Sequence, residues 1–287
     1  MERLTPLAAA FLEAEDEDSR ASLAIGSLAV FEGPAPPFEE FVEAIAGRLP
    51  LIPRYRQRLC TVPFDLSEPV WADDPGFDLS RHVRRTVVPP PGEHDEIGRL
   101  VSRLMASRMD RSRPLWEYWF CEGLSGGRWA LLSKLHHSLV DGVSGTDLYR
   151  LVLDPSPEPR PAVPDDWRPT PAPSTLSLTA RALVDLAGSP ARTARAAVGA
   201  ARRPRDLLST AEASGRGLVA MAGALLPAQR SSLSGPLQGS RRYTWTDVPL
   251  SDVSSVRHRF GATVNDVALA AVSGGLRSLL LSRGEEP

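Results

Sequence analysis

Residues 135–145 read LHHSLVDGVSG and hold two of the five histidines in the chain. An imidazole takes or gives a proton near neutral pH, so a histidine fixed through one ring nitrogen can accept a proton from a hydroxyl with the other. His136 and His137 are adjacent, and adjacent residues at the end of a strand point to opposite faces. They therefore cannot play the same part: one ring faces a cleft and the other enters packing or a supporting hydrogen bond. Asp141 can lie across the following turn and either fix an imidazole tautomer or pair with an arginine. Gly142 permits torsions and close approaches that a Cβ forbids. Spacing alone leaves both a catalytic base and a pair of structural histidines open. A metal site is not expected, since no third ligand stands at a telling distance. A serine hydrolase is disfavoured because there is no G-x-S-x-G elbow and Ser138, next to His137, is badly placed to be its nucleophile.

These residues need elements to hold them. RWALLSKL (128–135) is a buried strand that runs into the histidine pair, and SLAIGSLAVF (22–31) is a second strand. Phe38, Phe41, Val42, Ile45 and Leu49 recur with helical spacing, behind Glu39 and Glu40 in the first turn. Ile97, Leu100, Val101, Leu104 and Met105 mark another helix, ending near Asp110. Ser144 and Asp147 open a helix carrying Leu148, Leu151 and Val152. A last helix starts near Val264 and stops at Arg283-Gly284. Alternating strands and helices predict an α/β or α+β sheet with packed helices.

The domain reading follows the composition. Residues 1–153 form the first domain, and 154–174, where proline recurs, form a linker. Residues 175–240 are an Arg/Ala-rich helical crossover, with a surface for anionic lipid headgroups as the alternative reading of its basic stretch. Residues 241–287 begin a further unit. There are 33 basic and 35 acidic residues, for a net charge of −2, so nothing pulls the chain toward nucleic acid. Two cysteines outside any metal spacing suit a reducing compartment. No signal peptide or membrane-spanning run is expected, which predicts a cytoplasmic chain.

HHSLVDG resembles the HHxxxDG signature of the CoA-dependent acyltransferase superfamily, shared with condensation domains and chloramphenicol acetyltransferase-like enzymes. Within it, the chain is most similar to the bacterial wax ester synthase/diacylglycerol acyltransferases. The resemblance is carried by LTPLAAAFL at the start, LIPRYRQRL (51–59), PVWADDPGFDLSRHVRR (69–85) and MDRSRPLWEYWFCEGL (109–124). LSGPLQGSRR (233–242) and GATVNDVALAAVSGGLRSLL (261–280) extend it over nearly the whole chain. It implies a chloramphenicol acetyltransferase-like mixed sheet with packed helices. It also implies O-acyl transfer from acyl-CoA to diacylglycerol or a long-chain alcohol, without a cofactor and without a covalent acyl-enzyme. By the same resemblance His137 is the general base, with His136 and Asp141 supporting it and Gly142 keeping the approach open. Pro114, Leu115 and Trp116 match the family's PLW motif, and Asn265 and Asp266 its ND pair, both as scaffold near the site. Thr263 and Asp266 also form a capping-box-like helix start.

By this resemblance the chain is expected to be shorter than members of the family. The resemblance therefore implies that this chain is the first of two α/β halves plus the crossover, and that full activity needs a companion C-terminal half. Peripheral association with the inner membrane or lipid droplets is expected from the lipid acceptors. The rival readings are an amide-forming condensation-type domain and a noncatalytic lipid-surface or partner-binding protein.

Overall fold

The structure is a computed structural model that describes residues 2–63, 66–140, 152–154, 156, 160–185, 231–236 and 239–287. These fall in two compact units: one comprises residues 1–189 with 238–244, the other 190–237 with 245–287.

The first unit is built on a four-stranded sheet of β1 (Ala24–Phe31), β4 (Val83–Val87), β5 (Trp116–Glu122) and β6 (Trp129–His136), in the order β1-β6-β5-β4. The expected strands over 22–31 and 128–135 are β1 and β6. β6 is buried at all eight positions because it is central and covered on both faces. It pairs antiparallel with β1 from Ala24↔His136 to Phe31↔Trp129, and with β5 from Trp116↔Leu135 to Cys121↔Ala130. β4 and β5 are parallel, and parallel neighbours need a crossover connection, here α3 (His94–Ala106). β2 (Gln57–Cys60) and β3 (Val70–Asp73) form a separate antiparallel pair.

Side-chain alternation sorts the two faces of β6. Trp129, Leu131 and Leu135 join the main core with residues of α1 (Pro6–Glu17) and α2 (Phe38–Ala46). Lys134, of opposite parity, is 1% exposed and donates from Nζ to the carbonyls of Leu104, at 2.9 Å, and Ser107. The one lysine of the chain thus occupies the C-terminal carbonyls of α3, which have no partner within the helix. α3 ends at Ala106, four residues before the expected Asp110, because Ser107 turns extended (φ −76°, ψ 133°) as its carbonyl meets Lys134.

The proline-rich segment, where described, has no helix or strand over 160–174, yet it lies against the first unit. Arg48 reaches the carbonyls of Arg160 and Pro161, both at 3.2 Å, and the Asp154 carboxylate at 3.0 Å. Arg56 donates to Asp165 at 2.8 Å and lies 4.8 Å over the Trp167 ring. A helix, α4, follows over residues 175–185.

In the second unit α5 (Leu250–Phe260) ends on Gly261 at φ +64°, and α6 (Val264–Ser282) follows. α6 is long and apolar enough to cross a membrane by length and composition alone, although Asp266 and Arg277 fall within it. The expectation of no such segment counted uninterrupted apolar runs, which those two charges break.

Candidate active site

β6 delivers the histidine pair and a 3-10 turn, His137–Leu139, redirects the chain at once. Three backbone bonds fix the junction. His136 N donates to Leu115 O at 3.0 Å, His137 N to Leu23 O at 3.0 Å, and Val140 N to His137 O at 3.3 Å. The two imidazoles part as alternation requires. His136 is 1% exposed, and its Nδ1 accepts from the amide of Ser138 at 3.1 Å while the Ser138 hydroxyl stands 2.6 Å away. It therefore serves as the N-cap of the turn. Two donors at Nδ1 place the ring proton on Nε2, which faces Glu15 Oε1 at 3.4 Å without hydrogen-bond geometry.

Glu15 is the residue that sequence reasoning missed. Its carboxylate is buried, accepts from Leu23 N at 2.7 Å and from Arg111 at 3.0 Å, and lies 3.4 Å from Arg108. Burial works to raise its pKa, but the Leu23 amide and Arg111 outweigh burial and hold it below the usual carboxylate value. Burial acts the other way on His136, lowering its pKa to about 4 against a raising pull from Glu15. At neutral pH Glu15 is accordingly an anion and His136 a neutral ring. A signal did exist in the sequence: Ala8, Ala9, Leu12 and Glu15 form the buried stripe of α1, so a carboxylate stands where the helical period calls for an apolar residue.

His137 is half-buried, and its ring stacks on Phe11 of α1 with centroids 4.7 Å apart. No described residue hydrogen-bonds either of its ring nitrogens. Chemically this gives one inert, locked imidazole beneath a second that is held by its backbone and one face while its nitrogens meet no partner among the described residues. Ser138, His136 and Glu15 follow one another like a hydrolase triad. All three are 2% exposed or less, so no substrate can meet the serine oxygen.

Pro114, Leu115 and Trp116 are buried beside this junction. Leu115 supplies the carbonyl that holds His136 N. Trp116, 0% exposed, pairs with Leu135, stacks between Tyr55 (4.3 Å) and His82 (4.6 Å), and donates from Nε1 to Tyr55 O at 2.8 Å. Asp141 and Gly142 lie outside the described residues, as does the helix expected from Ser144. Asn265 and Asp266 belong to the second unit. There Asp266 accepts from Thr263 N at 2.8 Å and Thr263 Oγ1 at 2.7 Å, closing a capping box at the start of α6, and Asn265 is exposed. Among the described residues no group of three or more His, Cys, Asp or Glu side chains is placed to hold a metal.

Comparison with known proteins gives a consistent result. The family model of the wax ester synthase/diacylglycerol acyltransferase catalytic domain matches residues 4–268. A protein of Mycobacterium tuberculosis H37Rv, described as a probable diacylglycerol O-acyltransferase (tgs1), is 45% identical over 290 residues, covering 100% of this chain and 59% of that protein. Another described in the same words (tgs3, strain CDC 1551) is 34% identical over 249 residues, which cover 85% of this chain and 92% of that protein. Among solved structures, the wax ester synthase/diacylglycerol acyltransferase from Marinobacter aquaeolei VT8 superposes with a TM-score of 0.62 at 28% identity, over 99% of this chain and 62% of that one. The chain thus spans about three fifths of the length of tgs1 and of the Marinobacter enzyme.

Proposed function

Because the chain belongs to the wax ester synthase/diacylglycerol acyltransferase family, we propose that it carries the catalytic base of an O-acyltransferase that moves a fatty acyl group from acyl-CoA to diacylglycerol or a long-chain alcohol. His137 takes the proton of the acceptor hydroxyl as its oxygen attacks the thioester carbonyl. The tetrahedral intermediate then collapses, the carbon–sulfur bond breaks, and the imidazolium returns its proton to the departing CoA thiolate. Ester and free CoA result, with no acyl group passing through the protein. The observation that carries this reading is the half-exposed His137 ring above the buried Ser138–His136–Glu15 network, which the half-buried Arg111 joins. Burial of Ser138 speaks against the hydrolytic alternative.

The test is triacylglycerol and wax ester formation by the complete gene product containing these residues, with and without His137→Ala. A general base contributes roughly 10²- to 10⁴-fold, and a loss of that size is expected. Unchanged turnover overturns the assignment. Carrier-protein thioesters should fail to replace acyl-CoA; if they do replace it, the condensation-type reading is correct instead. The reading also includes a companion C-terminal half completing the acyl channel, and a cytoplasmic enzyme peripheral to the inner membrane or lipid droplets, where its acceptors dissolve. Co-purification and membrane fractionation test these two points.

A further inference from the structure

The outer face of α3 bears a cleft whose lining includes neither His136 nor His137. Segment 239–244, part of the first unit, lies along this helix, and Gly98 is what lets it approach: a Cβ there would stand 2.7 Å from the carbonyl oxygen of Tyr243. Glycine inside a helix weakens it relative to alanine, and nothing within α3 requires one at this position. The segment is also tied by His94 Nε2 to Thr244 Oγ1 at 2.9 Å.

Between helix and segment is a cavity of about 770 Å³, whose lining sets Arg99, Arg103, Arg241 and Arg242 against the single carboxylate of Asp95. Arg99 is paired with Glu96 and Arg241 reaches the carbonyl of Arg20, whereas Arg103 and Arg242 meet no carboxylate among the described residues. A second cavity of about 420 Å³ shares Ser102, Arg241, Arg242 and Tyr243 with the first, and its apolar lining is Val101 and Met105 of α3 with Leu28 and Leu132 of the sheet. A cationic mouth and an apolar floor are therefore continuous under one roof.

We propose that this cleft binds a phosphorylated amphiphile, with its phosphate groups at the four arginines and its hydrocarbon chain along the apolar floor. Guanidinium forks match phosphate oxygens in geometry and charge, and an alkyl chain removes the partly exposed Leu28 and Met105 from water. Two sources share this chemistry: a long-chain acyl-CoA, and an anionic phospholipid. Neither depends on the role of His137.

The experiment measures binding to the 287-residue chain of dodecanoyl-CoA, CoA and dodecanol in solution, and of phosphatidylglycerol and phosphatidylcholine vesicles. Dodecanoyl-CoA is expected to bind at least tenfold more tightly than CoA or dodecanol, to weaken with salt, and to be displaced by inorganic pyrophosphate. Replacing the four exposed arginines by glutamine should weaken binding at least tenfold. Gly98→Ala, which favours the helix but collides with Tyr243 O, should weaken it with all charges kept. His137→Ala should bind as the wild type does, so failure of the catalytic reading and failure of this one are separate results. Binding to phosphatidylglycerol vesicles alone, lost in the arginine variant, supports the site and assigns its ligand to a lipid surface. Absence of binding to either phosphorylated probe overturns the proposal, as does equal binding by the wild type, the arginine variant and Gly98→Ala.

Discussion

At neutral pH the Glu15 carboxylate is ionised beside a neutral His136, and this difference ties stability to pH. His136 titrates at about 4 in the fold against 6.5 unperturbed, so between those values the unfolded chain binds the additional proton. Its contribution is complete above about pH 6.5 and is lost as pH falls toward 4. Glu15, held below its ordinary 4.5, acts in the same direction, with a contribution present above that value and lost below it. The His136 part amounts to about 3 kcal/mol. Urea unfolding between pH 7.5 and 4.5 should show the decline. His136→Asn, which keeps an acceptor for the Ser138 amide, should flatten it; equal slopes for the two proteins would sink this account. Glu15→Leu removes the acceptor of the Leu23 amide, while Arg108 and Arg111 keep Asp16 as partner, and should destabilise by roughly 1–3 kcal/mol, read as a lower urea midpoint at pH 7.

At the scale of elements, the site depends on α1, β1, β5 and the junction after β6 arriving together. Of the flanking segments the sequence shows β1, α2, α3, β6 and α6, each long enough for its period to appear over several turns or alternations. β2, β3 and β4 are four or five residues long; a run that short shows no period, and β4 carries Arg84 and Arg85 in its middle. α1 is obscured because its acidic end conceals the Ala8–Leu12–Glu15 stripe. Lys134 tests the coupling of strand to helix. Lys134→Met leaves the carbonyls of Leu104 and Ser107 without their donor, an expected cost of about 1–3 kcal/mol for each buried group orphaned. Amide hydrogen exchange in the last turn of α3 should accelerate while the amides of β6 stay protected. Uniform acceleration across the unit would show that Lys134 supports the core rather than the helix end.

At the scale of the whole chain, proline-rich residues 160–174 act as a strap on the first unit, since Arg48 and Arg56 are buried by them. Trp167→Ala removes the face on which Arg56 lies. The Thr170 amide, which donates to Asp73 at 2.9 Å, should then exchange with solvent faster while β2 and β3 keep their protection; unaltered exchange at Thr170 would mean the strap is held elsewhere. The second unit is described by its own contacts: Ser232 N donates to Glu285 at 2.8 Å, and α6 exposes Leu269, Val272 and Leu276.

By itself the sequence determined the family, the strand that carries the histidine pair and the opposite facing of the two rings, because a motif is read from identity and adjacency, and the alternation of a strand is local. Tertiary structure decided which groups surround those rings. Glu15, Arg111, Leu115 and Leu23 lie 20 to more than 100 residues from His136, and no period or spacing links them to it. Burial, which turns Glu15 into an anion and His136 into a neutral cap, exists only once those distant segments have closed around the end of β6.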